Sequence, residues 1–300
     1  MRRLWPLLFF VIIFFLAIVG INTKPITLAP NSQSPTRIIS LAPSITETLF
    51  ALGAGDSVIA VTDYCDYPTE TESLAKIGGF INPNLEAIAA LQADLIILLS
   101  NQSQLIKQLK QLNIPTLAVN NTRLLDIQQA INTIGKVTHR EAKAKQLIAE
   151  FDQQIAAIQT KITDKKIPKV MITMGHSIGN EGIKTIFIAG QQDFYNDLIT
   201  LAGGENVYQG TNLKVPSLSI EGIMQLNPEV IIDIFPEADD HKTDLNQAQQ
   251  RWKNLTYVDA AKNNRVHIIE QDYATIPGPR LILLLKEMAQ LIHPDIDWQS

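Results

Sequence analysis

The chain repeats one pattern: residues 84–97 are NLEAIAALQADLII, and residues 219–232 are SIEGIMQLNPEVII. A second pair follows in the same order, LFALGAGDSV at 49–58 and LITLAGGENV at 198–207. In the first pair a short amphipathic segment leads into an apolar run, which is typical of a helix followed by a buried strand. Two pairs in the same order indicate one duplicated lobe, because a solenoid needs many short repeats.

Short apolar runs of strand type alternate with helical patterns throughout the chain after its N-terminal segment. The runs are Arg37–Leu41, Val58–Val61, Leu95–Leu99, Thr116–Val119, Val170–Thr173, Val230–Ile234 and Val266–Ile269. Alternation of this kind is typical of βα units and predicts parallel sheets. The expected fold class is therefore α/β, with two similar lobes.

One interval between the two groups of runs has a helical pattern alone. Apolar residues recur there at the spacing of one helix face, at positions 144, 147, 148, 151, 155, 158 and 162. Thr138 and Glu141 have the spacing of a capping box, and Pro168 follows the end of the pattern. We predict one long, rigid helix that joins the lobes and leaves a ligand cleft between them.

The N-terminal segment has the layout of an export signal. Arg2 and Arg3 precede an apolar run from Leu7 to Ile21, and polar residues follow it. Counted from Leu4, the segment to Ile21 has 18 residues, near the short limit for a membrane span, so a cleaved signal peptide and a retained anchor both stay open. Cys65 is the only cysteine, so we expect neither a lipid anchor after this run nor an intrachain disulfide.

These patterns divide the chain and set its expected location. The expected divisions are a signal peptide or N-terminal membrane anchor (1–23), a tether (24–36), an N-terminal α/β lobe (37–136), a connecting helix (137–166) and a C-terminal α/β lobe (167–295). We expect a periplasmic protein, either released or tethered to the inner membrane, and we expect a monomer.

The composition is that of an ordinary globular protein. Of its 300 residues, 46% are hydrophobic and 18% are charged, and the net charge is −5. Residues 1–30 contain only basic charged residues, so the rest of the chain is more acidic than the total suggests. Nucleic-acid binding is excluded, because it needs clustered Lys and Arg side chains that neutralise phosphates.

Residue patterns of catalysis and metal binding are weak. The sequence has no P-loop, no His-Glu-x-x-His and no Cys-x-x-Cys, and its five histidines are widely separated, so we expect no catalytic residue, no metal ligand and no cofactor. His176 is the one histidine expected near a ligand. It follows a predicted strand in a polar, glycine-bearing segment interpreted as a loop, and α/β folds bind ligands at the carboxyl ends of strands.

Ser44 follows a predicted strand and Pro43. The pattern Ser44-Ile45-Thr46-Glu47 has capping-box spacing, which favours a structural role for Ser44 as an N-cap. The same helix N-terminus also offers N–H groups to an anionic ligand. Pro43 and Ser44 are therefore candidates for the ligand site.

Several motifs together carry a family resemblance. They are RIISLAPSITE at 37–47, GAG at 53–55, YCDYP at 64–68, PGPR at 277–280 and the two repeats that contain glutamate. In this order they resemble the helical-backbone class of ABC-importer substrate-binding proteins, with its cobalamin-binding members the nearest. The resemblance implies little closure on binding, no catalysis, and delivery of a metal chelate (a corrinoid such as cobalamin, haem or a ferric siderophore) to a membrane permease.

The resemblance also implies ligand contacts at Tyr64, Phe80, Asp272 and Tyr273. Tyr64 matches an aromatic residue of the cleft, and Phe80 stands where a tryptophan is expected. Two positions depart from the pattern, because Val215 replaces a tryptophan and Ile276 replaces an arginine. The identity of the chelate therefore stays open.

Glu86 and Glu221 occupy equivalent places in the two repeats, two residues after Asn84 and Ser219. A carboxylate in a first helical turn is favoured by the helix dipole and needs no partner. The resemblance implies a second role, in which the two glutamates face arginines of a two-fold symmetric ABC permease in the inner membrane.

Two other classes of function remain compatible with the residues alone. An exported two-domain enzyme, such as a transferase or lyase, would place its active site in the same cleft. A membrane-tethered structural protein would also fit the N-terminal segment, but it gives duplicated lobes no evident use.

Overall fold

The computed structural model describes residues 34–179, 182–235, 252 and 254–298, with the backbone alone described for 176–179 and 182–184. The predicted signal peptide or anchor and nearly all of the tether lie outside these residues. None of the helices within them combines the length and apolar character needed to cross a membrane.

The N-terminal lobe is built on a parallel sheet. Its strands are Ile38–Ser40 (β1), Val58–Val61 (β2), Ala75–Lys76 (β3), Leu95–Leu99 (β4) and Thr116–Val119 (β5). Its helices are Pro43–Ala51 (α1), Leu85–Ala90 (α2), Ser103–Gln111 (α3) and Leu124–Val137 (α4). The strand order is β3-β2-β1-β4-β5, with every pairing parallel. The apolar run at β1 is fully buried, as expected for the central strand of a sheet covered on both faces.

A helix of 22 residues, Glu141–Ile162 (α5), follows this lobe. At about 1.5 Å per residue it is roughly 33 Å long. The predicted connecting helix is therefore present, although it is shorter at both ends than the predicted range of 137–166.

The predicted capping box at the start of this helix is wrong. Thr138 belongs to the end of α4, where its Oγ1 donates to the carbonyl of Ile134 at 2.8 Å. His139 then adopts a left-handed conformation, with φ of +53°, and this separates α4 from α5. Arg140 is the N-cap of α5, and its side chain makes no capping hydrogen bond.

The C-terminal lobe is built on a second sheet. Its strands are Lys169–Gly179 (β6), Gly182–Ile188 (β7), Glu205–Asn206 (β8), Ser217–Leu218 (β9), Val230–Ile234 (β10) and Val266–Ile269 (β11). Its helices are Phe194–Leu201 (α6), Ile220–Leu226 (α7), Asp259–Lys262 (α8) and Leu281–Ile292 (α9). The strand order is β11-β10-β6-β7-β9, and β8 also pairs with β6.

The prediction that both sheets are parallel is wrong for this lobe, because its sheet is mixed. β7 runs antiparallel to both β6 and β9, whereas β6, β8, β10 and β11 pair in parallel. The polar, glycine-bearing segment interpreted as a loop instead continues β6, and the chain returns as β7 after two residues. So short a connection joins antiparallel strands only, since a parallel pair needs a crossover of about a dozen residues or more.

The two repeats of the sequence form equivalent elements. Asn84 caps α2 by accepting from the Ala87 N–H at 3.0 Å, and Ser219 caps α7 by accepting from the Gly222 N–H at 3.3 Å. Each helix then leads into an inner strand of its sheet, β4 in one lobe and β10 in the other. The prediction of two similar α/β lobes is confirmed.

One hydrophobic cluster runs from the N-terminal lobe through α5 into the C-terminal lobe. It includes Ile97 of β4, Ile232 of β10, and the buried residues Ala144, Phe151 and Ile158 of α5. Because close-packed interiors resist rearrangement, this continuous core favours a fixed placement of the two lobes.

Candidate functional site

The carboxyl ends of β1, β2 and β11 lead into one pocket between the lobes, with a volume of about 510 Å³. It is lined by Pro43, Glu47, Tyr64, Asp66, Tyr67, Glu270, Gln271, Asp272 and Ile276. The first five residues come from the N-terminal lobe and the last four from the C-terminal lobe. This interlobe pocket lies where the two-lobed fold predicts a ligand cleft, at the carboxyl ends of strands.

Two tyrosine rings give this pocket apolar surface. Tyr64 and Tyr67 follow β2 in the chain, and 60% of Tyr64 and 47% of Tyr67 are exposed to solvent. Exposed aromatic rings on a pocket wall offer flat faces against which a planar ligand stacks.

Arg280 lies beside the pocket and connects the two lobes. Its Nε is 3.0 Å from Oε2 of Glu47 in α1, and its Nη2 is 2.6 Å from Oε1 of the same carboxylate. It also donates to both carboxylate oxygens of Asp272, at 3.0 and 2.6 Å. The guanidinium carbon lies 3.9 Å from the centre of the Tyr67 ring, a cation–π contact.

These contacts shift the pKa values of the charged groups. Burial raises the pKa of Glu47, and the neighbouring Arg280 only partly offsets this. The hydrogen bonds from Arg280 lower the pKa of Asp272. Burial alone would lower the pKa of Arg280, but its hydrogen bonds to the two carboxylates raise it. Arg280 is thus held as a cation between the carboxylates of Glu47 and Asp272.

Ser44 is buried under the pocket instead of lining it. The predicted capping box is wrong here too, because α1 begins at Pro43 with Ala42 as its N-cap, and no side chain caps it. Proline has no N–H to satisfy and a helical φ, so it starts the helix before Ser44. The Ser44 hydroxyl accepts from Asn121 Nδ2 at 3.3 Å, and the backbone of Gly278 packs closely against it.

Three predicted ligand residues, Pro43, Tyr64 and Asp272, are brought together in the interlobe pocket. Tyr273 lies outside its lining. The Tyr273 hydroxyl donates to Glu287 of α9 at 2.9 Å, and burial together with this carboxylate raises the pKa of Tyr273 to about 12. Its predicted ligand contact stays a prediction.

Phe80 lines a different pocket, of about 580 Å³, between the β3–α2 loop and the start of α3. The Phe80 carbonyl accepts from Gln102 Nε2 at 2.8 Å, which ties the loop to α3. Phe80 therefore belongs to the N-terminal lobe alone, and its predicted contact with the ligand stays a prediction.

His176 lies in β6, where its backbone pairs with Ile186 of β7, and not in a loop. Gly175–Gly179 also has Gly-x-Ser-x-Gly spacing, which in hydrolases marks the nucleophile elbow. That motif needs a sharp turn from a strand into a helix, whereas here it continues one strand of a hairpin. The backbone therefore does not fit a nucleophile elbow.

Glu86 and Glu221 both lie exposed in the first turns of their helices, α2 and α7. A hydrogen bond with the Ser219 side chain lowers the pKa of Glu221. The structure places the two glutamates at equivalent positions of the two lobes, and their predicted role in docking stays a prediction.

Sequence reasoning missed the pairing that joins the lobes. The sequence pattern assigns Glu47 to a capping box, and the PGPR motif that contains Arg280 predicts no contact for this side chain. A second interlobe pair was also missed: Arg123, before α4, donates through Nε to Asp197 of α6 at 2.9 Å. Pairs so distant in sequence leave no local pattern that would reveal them.

Metal-binding side chains do not cluster in the part of the chain described above. No group of three or more His, Cys, Asp or Glu side chains there is arranged to hold a metal ion. Such a bare-ion site would need several of these ligands converging on one point.

Comparison with known proteins agrees with the two-lobed fold. A family model described as "Periplasmic binding protein" matches residues 38–273. The chain belongs to the periplasmic binding protein family. The match begins at β1 and ends one residue beyond Asp272. It spans the N-terminal lobe, α5, most of the C-terminal lobe and every residue of the pocket lining except Ile276.

Two curated relatives cover most of the chain. The uncharacterized ABC transporter substrate-binding lipoprotein YvrC of Bacillus subtilis is 30% identical over 271 residues, which are 88% of this chain and 82% of the relative. The vitamin B12-binding protein of Vibrio parahaemolyticus is 28% identical over 266 residues, 88% of this chain and 92% of the relative.

Two solved structures with this fold belong to proteins that are named for different ligands. The periplasmic vitamin B12 binding protein BtuF of Vibrio cholerae has a TM-score of 0.72 at 22% identity, over 87% of this chain and 98% of that one. The periplasmic heme-binding protein RhuT of Roseiflexus has a TM-score of 0.71 at 22% identity, over 86% and 98%. At such identities the likeness establishes the fold, and the fold is shared by binders of different chelates.

Proposed function

We propose that this protein is the substrate-binding component of an ABC importer, which captures a metal chelate and delivers it to a membrane permease. The chelate that we propose is a corrinoid such as cobalamin, with haem and ferric siderophores as the other members of the class. The observation that carries the proposal is the interlobe pocket, which combines two exposed tyrosine rings with residues of both lobes.

The pocket suits a flat ligand better than a bare ion. The exposed rings of Tyr64 and Tyr67 line one side, although Arg280 covers one face of Tyr67, and Ile276 adds apolar surface from the other lobe. Aromatic faces supply contact area and a stacking geometry that a macrocycle exploits. The vitamin B12-binding names of several relatives support a corrinoid among the planar chelates.

Binding, and not catalysis, is the proposed activity. The relatives named above are substrate-binding or vitamin-binding proteins, which supports this choice. The alternative is an exported two-domain enzyme with its active site in the same pocket. The binding protein and the enzyme predict different fates for the bound chelate, because a binding protein releases it chemically unchanged.

We further propose that the lobes move little when the ligand binds. The continuous core through α5 and the ion pairs Arg280–Glu47 and Arg123–Asp197 all connect the lobes. Hinged closure needs loops that absorb large dihedral changes, whereas here a long helix joins the lobes. A preformed pocket of this kind loses little conformational entropy on binding.

The protein would work in the periplasm, as a monomer, beside its permease. We propose that Glu86 and Glu221 dock it there, one from each lobe. Two similar lobes match a permease dimer because each subunit then meets one carboxylate. Charges at the rim of an interface guide the encounter and fix the register of the complex.

Native mass spectrometry of the purified protein with cobalamin, cobinamide, haem and a panel of ferric siderophores tests this function. We expect a one-to-one complex with one class of chelate, and release of the chelate unchanged. Chemical conversion of the bound chelate would favour the enzyme instead, and failure of every chelate to bind would reject the proposed class of ligand.

A further inference from the structure

The lining of the interlobe pocket is acidic. Four of its nine lining residues are carboxylates, Glu47, Asp66, Glu270 and Asp272. No Lys, Arg or His side chain is among these lining residues, within the part of the chain that the structure describes. A ligand that enters therefore meets negative charge from both lobes.

The nearby cations are already engaged. Arg280 forms hydrogen bonds with both Glu47 and Asp272, and only 14% of its side chain is exposed. Lys76 donates to the carbonyl of Cys65 at 2.9 Å and lies 3.6 Å from the carboxylate of Asp66. Neither cation is left over to receive an anionic group of a ligand.

Glu270 is a lining carboxylate of this pocket whose charge no cation in the described part of the chain neutralises. It is half-buried at the end of β11, and it forms no ion pair with any cation among the described residues. Asp66 has Lys76 beside it, and Glu47 and Asp272 share Arg280. One arginine between two carboxylates also leaves that group with a net negative charge.

We infer that this pocket selects its chelate by charge, admitting neutral or cationic chelates that carry amide donors and rejecting chelates that carry carboxylates, with Glu270 as the main determinant. The inference rests on the proposed function, since it concerns the ligand of the same pocket. Amide N–H groups donate to carboxylates, whereas a carboxylate placed beside Glu270 is repelled.

Selection by charge separates the proposed ligands into those that the pocket favours and those that it repels. A corrinoid surrounds its ring with amide side chains, so its periphery matches an acidic wall. Haem carries two propionates and a ferric tris-catecholate carries several negative charges, so both meet repulsion here. Like charges brought together in a binding interface are a strong means of excluding a wrong partner.

The test compares two ligands with the same ring. Cobinamide carries amides around the corrin, and cobyrinic acid carries carboxylates at the corresponding positions. By calorimetric titration of the purified full chain, we expect cobinamide to bind at least about tenfold more tightly than cobyrinic acid. Added salt should reduce this ratio, because it screens charge.

The variant Glu270→Gln assigns the effect to one residue. We expect it to reduce the ratio by about three- to tenfold, because it removes one close like-charge contact. Glu150→Gln is the matched control, since Glu150 is exposed on α5 and lies outside the pocket lining. It should leave the ratio unchanged. An equal effect of the two variants would overturn the role of Glu270.

The remaining outcomes separate this inference from the proposed function. Equal binding of both corrinoids would overturn charge selection and leave the corrinoid function intact. If neither corrinoid binds, the corrinoid proposal fails. Selection by charge is then tested by comparing the affinity for cationic ferrioxamine with the affinity for haem. Tighter binding of haem would then overturn charge selection, whereas tighter binding of ferrioxamine would support it. Binding of none of these probes would overturn both proposals.

Discussion

Arg280 donates to both carboxylate oxygens of Glu47, a residue 233 positions earlier in the chain and in the opposite lobe. The side chain of Glu47 is 2% exposed and that of Arg280 is 14% exposed. This bidentate ion pair neutralises a carboxylate that is almost inaccessible to water. The pair therefore holds α1 against the segment that precedes α9, at the wall of the interlobe pocket.

Removal of one partner should be costly. Arg280→Met leaves the Glu47 carboxylate buried without its cation, and breaking a buried pair in this way costs about 3–5 kcal/mol. We expect a loss of about 3 kcal/mol in the free energy of unfolding, measured by urea denaturation. The double variant Arg280→Met/Glu47→Gln should recover part of this loss, because no uncompensated carboxylate remains. A single variant that loses under about 1 kcal/mol would contradict the account.

Two histidines whose Nε2 atoms are buried predict how stability depends on pH. Burial lowers the pKa of His267 and of His293, and the Nε2 atom of each has no hydrogen-bond partner among the described residues. The unfolded chain then binds protons more readily than the folded chain as the pH falls through about 6.5. The free energy of unfolding should therefore decrease below that pH and level off below the folded-state pKa values.

The check is a series of urea titrations between pH 5 and pH 8, roughly the range in which histidine changes charge. His267→Gln should flatten the curve, whereas His139→Asn, at an exposed position between α4 and α5, should leave its slope unchanged. If the free energy of unfolding changes with pH equally in the wild type and in His267→Gln, His267 does not cause the pH dependence.

Strand positions were predictable from sequence because they depend on local patterns. Val58–Val61, Leu95–Leu99 and Val230–Ile234 are continuous apolar runs, and the structure begins and ends these strands at the predicted residues. Gly182–Ile188 was missed, because it follows a polar segment whose glycines favour a loop interpretation. A hairpin partner, and not local composition, makes that segment a strand.

The capping boxes failed for a related reason. Thr138 and Ser44 each stand three residues before a glutamate, as a capping box requires. Whether such a hydroxyl caps a helix depends on where the helices begin and end, and three-residue spacing alone does not set these boundaries. For Glu47 a distant arginine offered a stronger partner than a backbone N–H group. Of the candidate site, Pro43, Tyr64 and Asp272 were predicted, whereas Glu270 and Arg280 depend on tertiary contacts that no local pattern records.

The connecting helix should set the spacing of the lobes. Insertion of two glycines after Ala156 rotates the following half of α5 by about 200°, so Phe151 and Ile158 no longer face the same core. We expect this insertion to weaken chelate binding strongly. The matched substitutions Ala156→Gly and Ala157→Gly keep the register and should cost about 1 kcal/mol of stability each. Unchanged affinity in a folded insertion variant would show that α5 does not position the pocket.

Docking through Glu86 and Glu221 predicts a separation of binding from transport. Replacement of both with Arg should leave chelate affinity and folding nearly unchanged, because both side chains are exposed outside the pocket lining. Uptake of the chelate by cells that carry the permease should fall sharply. Glu141→Arg with Glu150→Arg, the same charge change on α5, is the control. Full uptake by the Glu86/Glu221 variant would reject the docking role.

Calorimetric titration of the purified protein with cobinamide, in the wild type and in Tyr64→Ala, tests the central claim most directly. The account predicts one-to-one binding by the wild type and a loss of about 1–3 kcal/mol of binding free energy in Tyr64→Ala, because a stacked ring is removed from the pocket. Tyr257→Ala, at a tyrosine that is 73% exposed and lies outside the pocket lining, should bind like the wild type. Equal affinity of the Tyr64 and Tyr257 variants, or no binding by the wild type, would contradict a planar corrinoid in the interlobe pocket.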